Sequence, residues 1–168
     1  LGDVYKRQVC AEAMSSRIKD TMNRIGLGKL TYLGIALKQL ITARKVSCTL
    51  TLEDKVHDKK ESVELPRFLF VTCMSHRYEG GGFMFCPPAV DHDGVLDLCS
   101  VGNISKGLVL LALPTAFFGK HYFVKGINAH TATQMSITAS APLWVHTDGE
   151  VTRKSRGFRV ECLPGAIR

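Results

Sequence analysis

The sequence predicts a mainly β fold, in which a β-sandwich carries two or three helices. Many short runs alternate apolar and polar residues with a period of two, as residues 46–53 do, and this period indicates a strand with one buried face. Turn residues such as Pro142 and the Asp148-Gly149 pair separate several of these runs. Helical periodicity is confined to a few segments, so strands predominate.

Two helices are predicted before the first strand. Residues 11–25 carry mixed charges on one face, and a Gly-x-Gly break separates them from residues 30–45. In the second segment, leucine and isoleucine recur at steps of three and four residues, which predicts an amphipathic helix. Arg44 and Lys45 are expected to close its last turn, where cations suit the helix dipole.

The predicted strands follow one another with short connections. A charged turn at residues 54–60 is expected to separate residues 46–53 from a partner strand at residues 61–65. Residues 67–74 are apolar on both faces, so they are predicted to form a central strand that is covered on both sides. The chain is expected to be strand again from Ile127. The remaining predicted strands are residues 95–101, 133–140, 143–147 and 158–163.

A third helix is predicted between two of these strands. Asn103 or Ser105 can cap its first turn with a side-chain oxygen. The helix is expected to run to about residue 118, with an interruption at Pro114, and to end at Gly119.

The composition is that of a folded protein with a basic surface. Of the 168 residues, 45% are hydrophobic and 22% are charged, a balance typical of globular proteins. No apolar run reaches the ~18–20 residues that cross a bilayer and no secretory signal is present, so a soluble, cytoplasmic chain is predicted. The formal charge of +7 suits nucleic acid, an anionic membrane or phosphorylated ligands. Nucleic acid is the weakest of these, because no basic stripe is interleaved with aromatic residues.

The cysteines are predicted to be reduced thiols in the core. They are dispersed, with no Cys-x-x-Cys pair and no histidine at ligand spacing, which disfavours a disulfide framework and a zinc site. Several have apolar neighbours, and free cysteine behaves as a small buried hydrophobic residue. The six cysteines are Cys10, Cys48, Cys73, Cys86, Cys99 and Cys162.

Two Asp-Gly pairs are the best candidates for a chemical site, although each is also the leading signal for a plain hairpin turn. At a domain edge, the turn at Asp148-Gly149 could present a carboxylate that accepts a hydroxyl proton; in the plain-turn reading, Glu150 is a solvated residue just past it. Asp93 lies in a tight loop whose backbone carbonyls add the oxygen ligands that magnesium prefers. No phosphate-binding loop accompanies either pair.

The histidines give weaker signals. Ser75, His76 and Asp93 could form a catalytic triad, but no nucleophile elbow supports one. The remaining histidines lack partners in register and are expected to be surface or satisfied residues. Those considered are His92, His121, His130 and His146.

Four segments occur in a distinctive order along the chain: GKLTYLGIALKQL, RYEGGGF through CPPAVDHDGVLDL, WVHTDGE and VECLPGAIR. Their order and spacing resemble those of the soluble bacterial diacylglycerol kinase family. The resemblance covers residues 9–168. The first eight residues, LGDVYKRQ, match nothing that follows and resemble a translated sequencing-adapter remnant, so the domain is expected to begin at Val9.

The resemblance implies roles for five residues. Glu150 matches the family's catalytic carboxylate, which accepts the proton of the substrate hydroxyl, and Asp148 would support the turn that aims it. Asp93 matches the magnesium-binding aspartate. The backbone carbonyls of Val90 and Val95 match the accompanying metal ligands.

The family's enzymes join a nucleotide-binding α/β domain to a C-terminal β-sandwich and transfer the γ-phosphoryl group of ATP to a lipid hydroxyl. The resemblance therefore implies the C-terminal domain of a two-domain lipid kinase, without its N-terminal ATP-binding domain and inactive alone. Mg²⁺ and ATP are the implied cofactors. The expected partners are a lipid substrate, a peripheral anionic membrane surface, the ATP-binding domain and, in a homodimer, a second copy of the chain.

Two alternatives stay open. One is a kinase of the NAD kinase superfamily that acts on a soluble acceptor, which activity on a dinucleotide would identify. The other is a non-catalytic β-sandwich binding module, which an upstream Gly-Gly-Asp-Gly-Thr loop would argue against. One departure from the family is Ser75, which stands where members often have asparagine, so contacts of the glycine-rich loop are expected to differ.

Overall fold

A computed structural model describes residues 44–79, 82–147 and 150–164, with the backbone alone for residues 146, 147 and 150–153. The described part is mainly β, which confirms the predicted fold class. In chain order its elements are β1 (Val46–Asp54), β2 (Lys59–Met74), β3 (Leu96–Gly102), α1 (Lys106–Ala112), the 3-10 helices η1 (Leu113–Phe118) and η2 (His121–Phe123), β4 (Ile127–Ala132), β5 (Gln134–Thr147) and β6 (Glu150–Glu161).

The six strands form one antiparallel sheet in the order β4-β3-β2-β1-β5-β6. Thr133 is the only residue between β4 and β5, yet these strands are four positions apart in that order. In a flat sheet they would be about 19 Å apart, at about 4.8 Å per strand. The sheet must therefore curl until its β4 edge meets the start of β5, which gives the layered form of a sandwich.

Thr133 holds the curled sheet together. Its backbone N–H donates to the carbonyl of Glu53 at 3.0 Å, and its hydroxyl donates to the same oxygen at 2.9 Å. The hydroxyl also accepts from the N–H of Lys55 at 2.9 Å. The Thr133 carbonyl accepts from the N–H of Cys162, just after β6, at 2.9 Å. One residue thus links the end of β1 to the end of β6.

Two apolar clusters lie on opposite faces of the sheet. Inside the curl, side chains of β1 to β5 pack together, and Leu50 and Met135 are completely buried there. The second cluster lies between the sheet and a layer made of α1 and the loop that precedes β3. β2 contributes Val71 and Cys73 to the first cluster and Met74 to the second. The prediction that residues 67–74 are covered on both sides is confirmed.

Two predicted strand breaks at prolines are wrong. β2 runs through Pro66, and β5 runs through Pro142. Pro66 lies at a β-bulge, where β2 has one residue more than β1 opposite Ser47. Pro142 lies within a wider irregularity, where residues 139–142 face a single residue of β6. A bulge leaves a residue outside the regular ladder, so proline's missing N–H costs no hydrogen bond there.

We call the segment from α1 to η2 the helical layer. Its course from Ser105 to Gly119 follows the predicted pattern. The Ser105 hydroxyl accepts from the N–H of Leu108 at 3.2 Å and caps α1, as predicted. The chain then tightens into η1, whose second residue is Pro114. Gly119 ends η1 with a φ of 65°, a left-handed conformation that glycine adopts without strain.

The predicted helices at residues 11–25 and 30–45 lie outside the described residues, except for the last two positions. Arg44 and Lys45 are not helical, so the prediction that they form a final helical turn is wrong. Lys45 instead reaches across the fold and donates from Nζ to the carbonyl of Ile104 at 2.6 Å. This bond ties the entry of β1 to the start of the helical layer.

The described cysteines are free thiols, as predicted, while Cys10 lies outside the described residues. Burial raises the pKa of four of them to about 12, namely Cys48, Cys73, Cys86 and Cys99. Cys162 is half-buried. Among the described residues, no helix has the length and apolar character to cross a bilayer.

Candidate functional site

The loop between β2 and β3 presents the predicted metal ligand. Residues 86–89 form a turn, in which the N–H of Ala89 donates to the carbonyl of Cys86 at 3.0 Å. Arg77 holds this turn from the end of β2, because its Nε donates to the Ala89 carbonyl at 3.4 Å and its own carbonyl accepts from the Cys86 N–H at 3.4 Å. The following residues, 90–95, are thereby attached to the sheet at both ends.

Asp93 itself forms a tight turn. Its Oδ1 atom accepts from the N–H of Val95 at 3.1 Å, across Gly94 with a φ of 77°. The side chain is exposed, so its carboxylate reaches solvent. The turn that the Asp-Gly pair predicts is present, and it leaves the second carboxylate oxygen outside the turn's own hydrogen bond.

A second carboxyl group lies behind the first. Asp97, on β3, is 4% exposed. Burial raises its pKa, and the nearby charge of Asp93 raises it further. Asp97 was not assigned a role from the sequence. An acidic residue within the apolar run LDLCSV is nevertheless a signal, because buried carboxyl groups are rare unless paired.

These oxygen donors fit a magnesium ion in kind. Asp93 and the carbonyls of Val90 and Val95 are hard oxygen ligands, and a cation would relieve the repulsion between Asp93 and Asp97. No group of three or more acidic, histidine or cysteine side chains suited to a metal occurs among the described residues. An ion at this loop would therefore depend on backbone carbonyls and water for most of its ligands.

A small cleft of about 130 Å³ opens beside Asp97 at the β4 edge of the sheet. One of its walls is His130, whose Nε2 lies 3.0 Å from the Ser100 hydroxyl, so this histidine has a partner. Burial lowers the pKa of His130, which favours the neutral ring. The lining residues are Pro88, Asp97, Leu98, Tyr122, Ala129, His130 and Thr131.

His121 departs from the expectation for the histidines. It is 2% exposed, and its Nε2 lies 3.2 Å from the carbonyl of Phe85, which also accepts from Tyr122 Oη at 2.5 Å. No described group hydrogen-bonds its Nδ1. Burial lowers its pKa. By contrast, His92 is exposed beside Asp91 at 2.8 Å, and the side chain of His146 lies outside the described residues.

Glu150 is the first residue of β6 and pairs with Thr147, the last residue of β5. Only residues 148 and 149 connect the two strands, which is the length of a hairpin turn. Asp148 lies outside the described residues, and so does the side chain of Glu150. The backbone thus places Glu150 at the tip of the β5–β6 hairpin.

The two predicted site residues lie near opposite ends of this hairpin. Pro164, three residues beyond the end of β6, lies against Gly94 in the Asp93 turn. Glu150 is eleven steps away from Glu161 along β6, which is about 36 Å of strand at about 3.3 Å per residue. Asp93 therefore lies beside the far end of β6, whereas Glu150 lies at the beginning of that strand.

The family model for the YegS C-terminal NAD kinase beta sandwich-like domain matches residues 8–168. The chain belongs to this family. As a YegS C-terminal domain it resembles curated proteins named for lipid phosphorylation. A probable lipid kinase YegS-like from Xanthomonas campestris pv. campestris is 30% identical over 144 residues, which is 84% of this chain and 44% of that protein. A diacylglycerol kinase of Mycobacterium tuberculosis is 26% identical over the same shares.

Solved structures support the same fold. A structure of a diacylglycerol kinase from Bacillus anthracis str. Sterne superposes on this YegS C-terminal domain with a TM-score of 0.51 at 18% identity, covering 77% of this chain and 43% of that one. Another chain from the same organism gives a TM-score of 0.58 at 21% identity, covering 80% and 44%. The domain thus spans less than half the length of these relatives.

Proposed function

We propose that this YegS C-terminal domain is the substrate-side half of an ATP-dependent lipid kinase, which phosphorylates a lipid hydroxyl such as that of diacylglycerol. Glu150 accepts the proton of that hydroxyl, and Asp148 supports the turn. The proposal is supported by the position of Glu150 at the start of β6, paired with Thr147 across a two-residue connection, together with the resemblance of Asp148-Gly149-Glu150 to the family's Asp-Gly-Glu motif. Main-chain pairing with Thr147 gives the backbone of Glu150 a defined position.

Phosphoryl transfer requires little from the C-terminal domain beyond this carboxylate. Phosphoryl transfer depends mainly on positioning and on neutralising charge, with one carboxylate to orient the attacking hydroxyl. Lys154 and Arg156 follow Glu150 by four and six residues and supply positive charge along the same strand. Lys154 Nζ lies 4.4 Å from the centre of the Trp144 ring, which holds it close to the hairpin. The nucleotide itself is bound by a partner half, so the domain alone is inactive.

Magnesium at Asp93 has a structural role in this proposal. Asp93 and the carbonyls of Val90 and Val95 hold the ion, which supplies positive charge beside Asp97. Burial raises the pKa of Asp97 and the charge of Asp93 raises it further, so a cation at this loop would favour the ionised form of both carboxyl groups. The length of β6 separates this loop from Glu150, which supports the proposal that the ion takes no part in the transfer step.

The proposal is tested by measuring phosphate transfer from ATP to diacylglycerol in mixed micelles with the full-length protein. Glu150→Gln should lower kcat by about 10²- to 10⁴-fold, since the carboxylate acts as a general base. The matched control is Glu161→Gln at the other end of the same strand, where the side chain pairs with Lys55; its kcat should be unchanged. Full activity of Glu150→Gln would refute the assignment.

A second candidate is phosphorylation of a soluble acceptor such as NAD, and the description of the matched family as NAD kinase-like favours it. The same protein offered NAD and ATP distinguishes the two. Transfer to dinucleotide without transfer to lipid would support the second candidate, and the reverse would support the first.

A further inference from the structure

The helical layer exposes a run of large apolar side chains. Leu111 is 74% exposed, Phe118 is 75% exposed and Phe123 is 88% exposed, while Leu108 and Phe117 are exposed to a lesser extent. Five of the eight large apolar residues that the structure shows as exposed lie in this stretch of 16 residues. A scattered exposed leucine is ordinary, whereas such a concentration marks an interaction surface.

These side chains point away from the sheet. Val109 and Ala112 are buried three residues apart and pack in the cluster against the sheet, and Ala116 is buried four residues later. Leu108 and Leu111, three residues apart, share a side of α1 that excludes those positions. We call the outward set of Leu108, Leu111, Phe117, Phe118 and Phe123 the helical face.

The charged residues of the chain segment that carries the helical face are all positive. From residue 98 to residue 147 the chain has no aspartate or glutamate. In the same stretch it has Lys106, Lys120 and Lys125, of which Lys120 and Lys125 are exposed. Lysines beside projecting leucine and phenylalanine form the pattern of a surface that lies in a membrane interface, with apolar groups among the acyl chains and cations at anionic headgroups.

We propose that the helical face docks on the surface of an anionic lipid bilayer. The inference rests on the proposed function, in that it names where the kinase meets the bilayer containing its substrate. Burial of Phe118 and Phe123 would supply most of the binding energy, and the three lysines would give the preference for anionic lipid.

The positive charge of the helical face favours a bilayer over the other possible partners of this surface. A second copy of the chain would oppose the same three lysines to each other, which disfavours a symmetric contact through this face. A bilayer that contains phosphatidylglycerol is both apolar and negatively charged, so it complements both parts of the surface. A nucleotide-binding half docked on the helical face would keep lipid away from it, and the vesicle-binding measurement distinguishes that outcome.

The test is co-sedimentation of the chain with vesicles of equal parts phosphatidylglycerol and phosphatidylcholine, without ATP. Phe118→Ser/Phe123→Ser should weaken binding by about tenfold or more, because two exposed aromatic side chains lose their lipid contacts. The matched control is Val56→Ser, which removes a residue that is 75% exposed in the β1–β2 turn, and its binding should equal that of the wild type. Lys120→Glu/Lys125→Glu should weaken binding to these vesicles but not to pure phosphatidylcholine.

A second measurement guards against a folding artefact. Phe123→Trp should shift its fluorescence emission to shorter wavelength when vesicles are added, and Val56→Trp should not. Equal vesicle binding by the wild type and Phe118→Ser/Phe123→Ser would overturn the inference. The inference would also be overturned if Phe118→Ser/Phe123→Ser kept vesicle binding but lost dimerisation or binding to the nucleotide-binding half. The full-length enzyme distinguishes the failures, since a kinase that needs Glu150 but not the helical face refutes this inference alone.

Discussion

The ring of Pro164 lies against Gly94, so close that a Cβ atom added to Gly94 would come within 3.3 Å of the proline Cγ. This contact joins the end of the described chain to the turn that carries Asp93. The loop around this turn is therefore held at three points: Arg77 bonds Ala89 before the turn, β3 begins after it, and Pro164 contacts Gly94.

Gly94→Ala should destabilise the fold by about 1–2 kcal/mol, because an alanine pays this much in the left-handed region. The φ of 77° and the Pro164 contact leave the methyl group no relaxed alternative. Urea unfolding followed by circular dichroism measures the loss. Gly107→Ala is the control: nothing lies within 4 Å of its added Cβ, so it should cause no loss. Equal stability of the two variants would contradict the described turn.

Asp97→Asn should remove a pH dependence of stability. The pKa of Asp97 is raised in the folded state by burial and then by Asp93, so folding favours the protonated form. In the wild type this contribution is fully present below the unfolded pKa of about 3.9 and is lost as the pH rises through the folded value. The stability of the variant relative to the wild type should therefore increase between pH 4 and pH 7 in urea unfolding. Asp91→Asn is the control, because His92 holds the pKa of Asp91 below its usual range, so this variant should not gain stability relative to the wild type between pH 4 and pH 7.

Mg²⁺ should stabilise the wild type and fail to stabilise Asp93→Asn. A ligand that binds only the folded state adds about 1.4 kcal/mol for each tenfold excess over its dissociation constant. Thermal unfolding at increasing MgCl₂ concentration measures the shift in Tm. Asp91→Asn removes another exposed acidic side chain of the same loop and should keep the full response. Identical shifts in all three proteins would show that Asp93 holds no ion.

Thr133→Val should destabilise the curled sheet by about 0.5–1.5 kcal/mol, because it removes the acceptor of a partly buried backbone donor. The donor is the N–H of Lys55, and the lost hydroxyl also donates to the carbonyl of Glu53. Thr133→Ser keeps the hydroxyl and should retain most of the stability. Both are compared with the wild type by urea unfolding. A valine variant as stable as the serine variant would mean that the hydroxyl does not hold the sheet closed.

The strands and the helix in the described part were largely predictable, because period, caps and turns are local properties. Ser105 and Gly119 mark the ends of the helical segment in the sequence as in the structure. The breaks expected at Pro66 and Pro142 were wrong for a nonlocal reason. Whether a proline breaks a strand depends on the register of the neighbouring strand, and the bulge that accommodates Pro66 exists only once β1 pairs with β2.

The candidate site likewise contains residues that local motifs identify and residues that they do not. Asp93 and Glu150 were named from motifs, and the backbone gives each the turn-associated position that an Asp-Gly pair implies. Asp97 and His121 were given no role, because their importance comes from burial. Loop residues and the helical layer cover them, and no local pattern encodes that cover.

The four deeply buried thiols make the protein its own reporter of unfolding. With a pKa of about 12, a thiol is ionised to only about one part in 10⁵ at pH 7, and the thiolate is the reactive species. Once the chain opens, the pKa returns to about 8.5 and reactivity rises by about three orders of magnitude. The rate at which an alkylating reagent labels Cys48, Cys73, Cys86 and Cys99 therefore measures how often the part of the fold around each thiol opens.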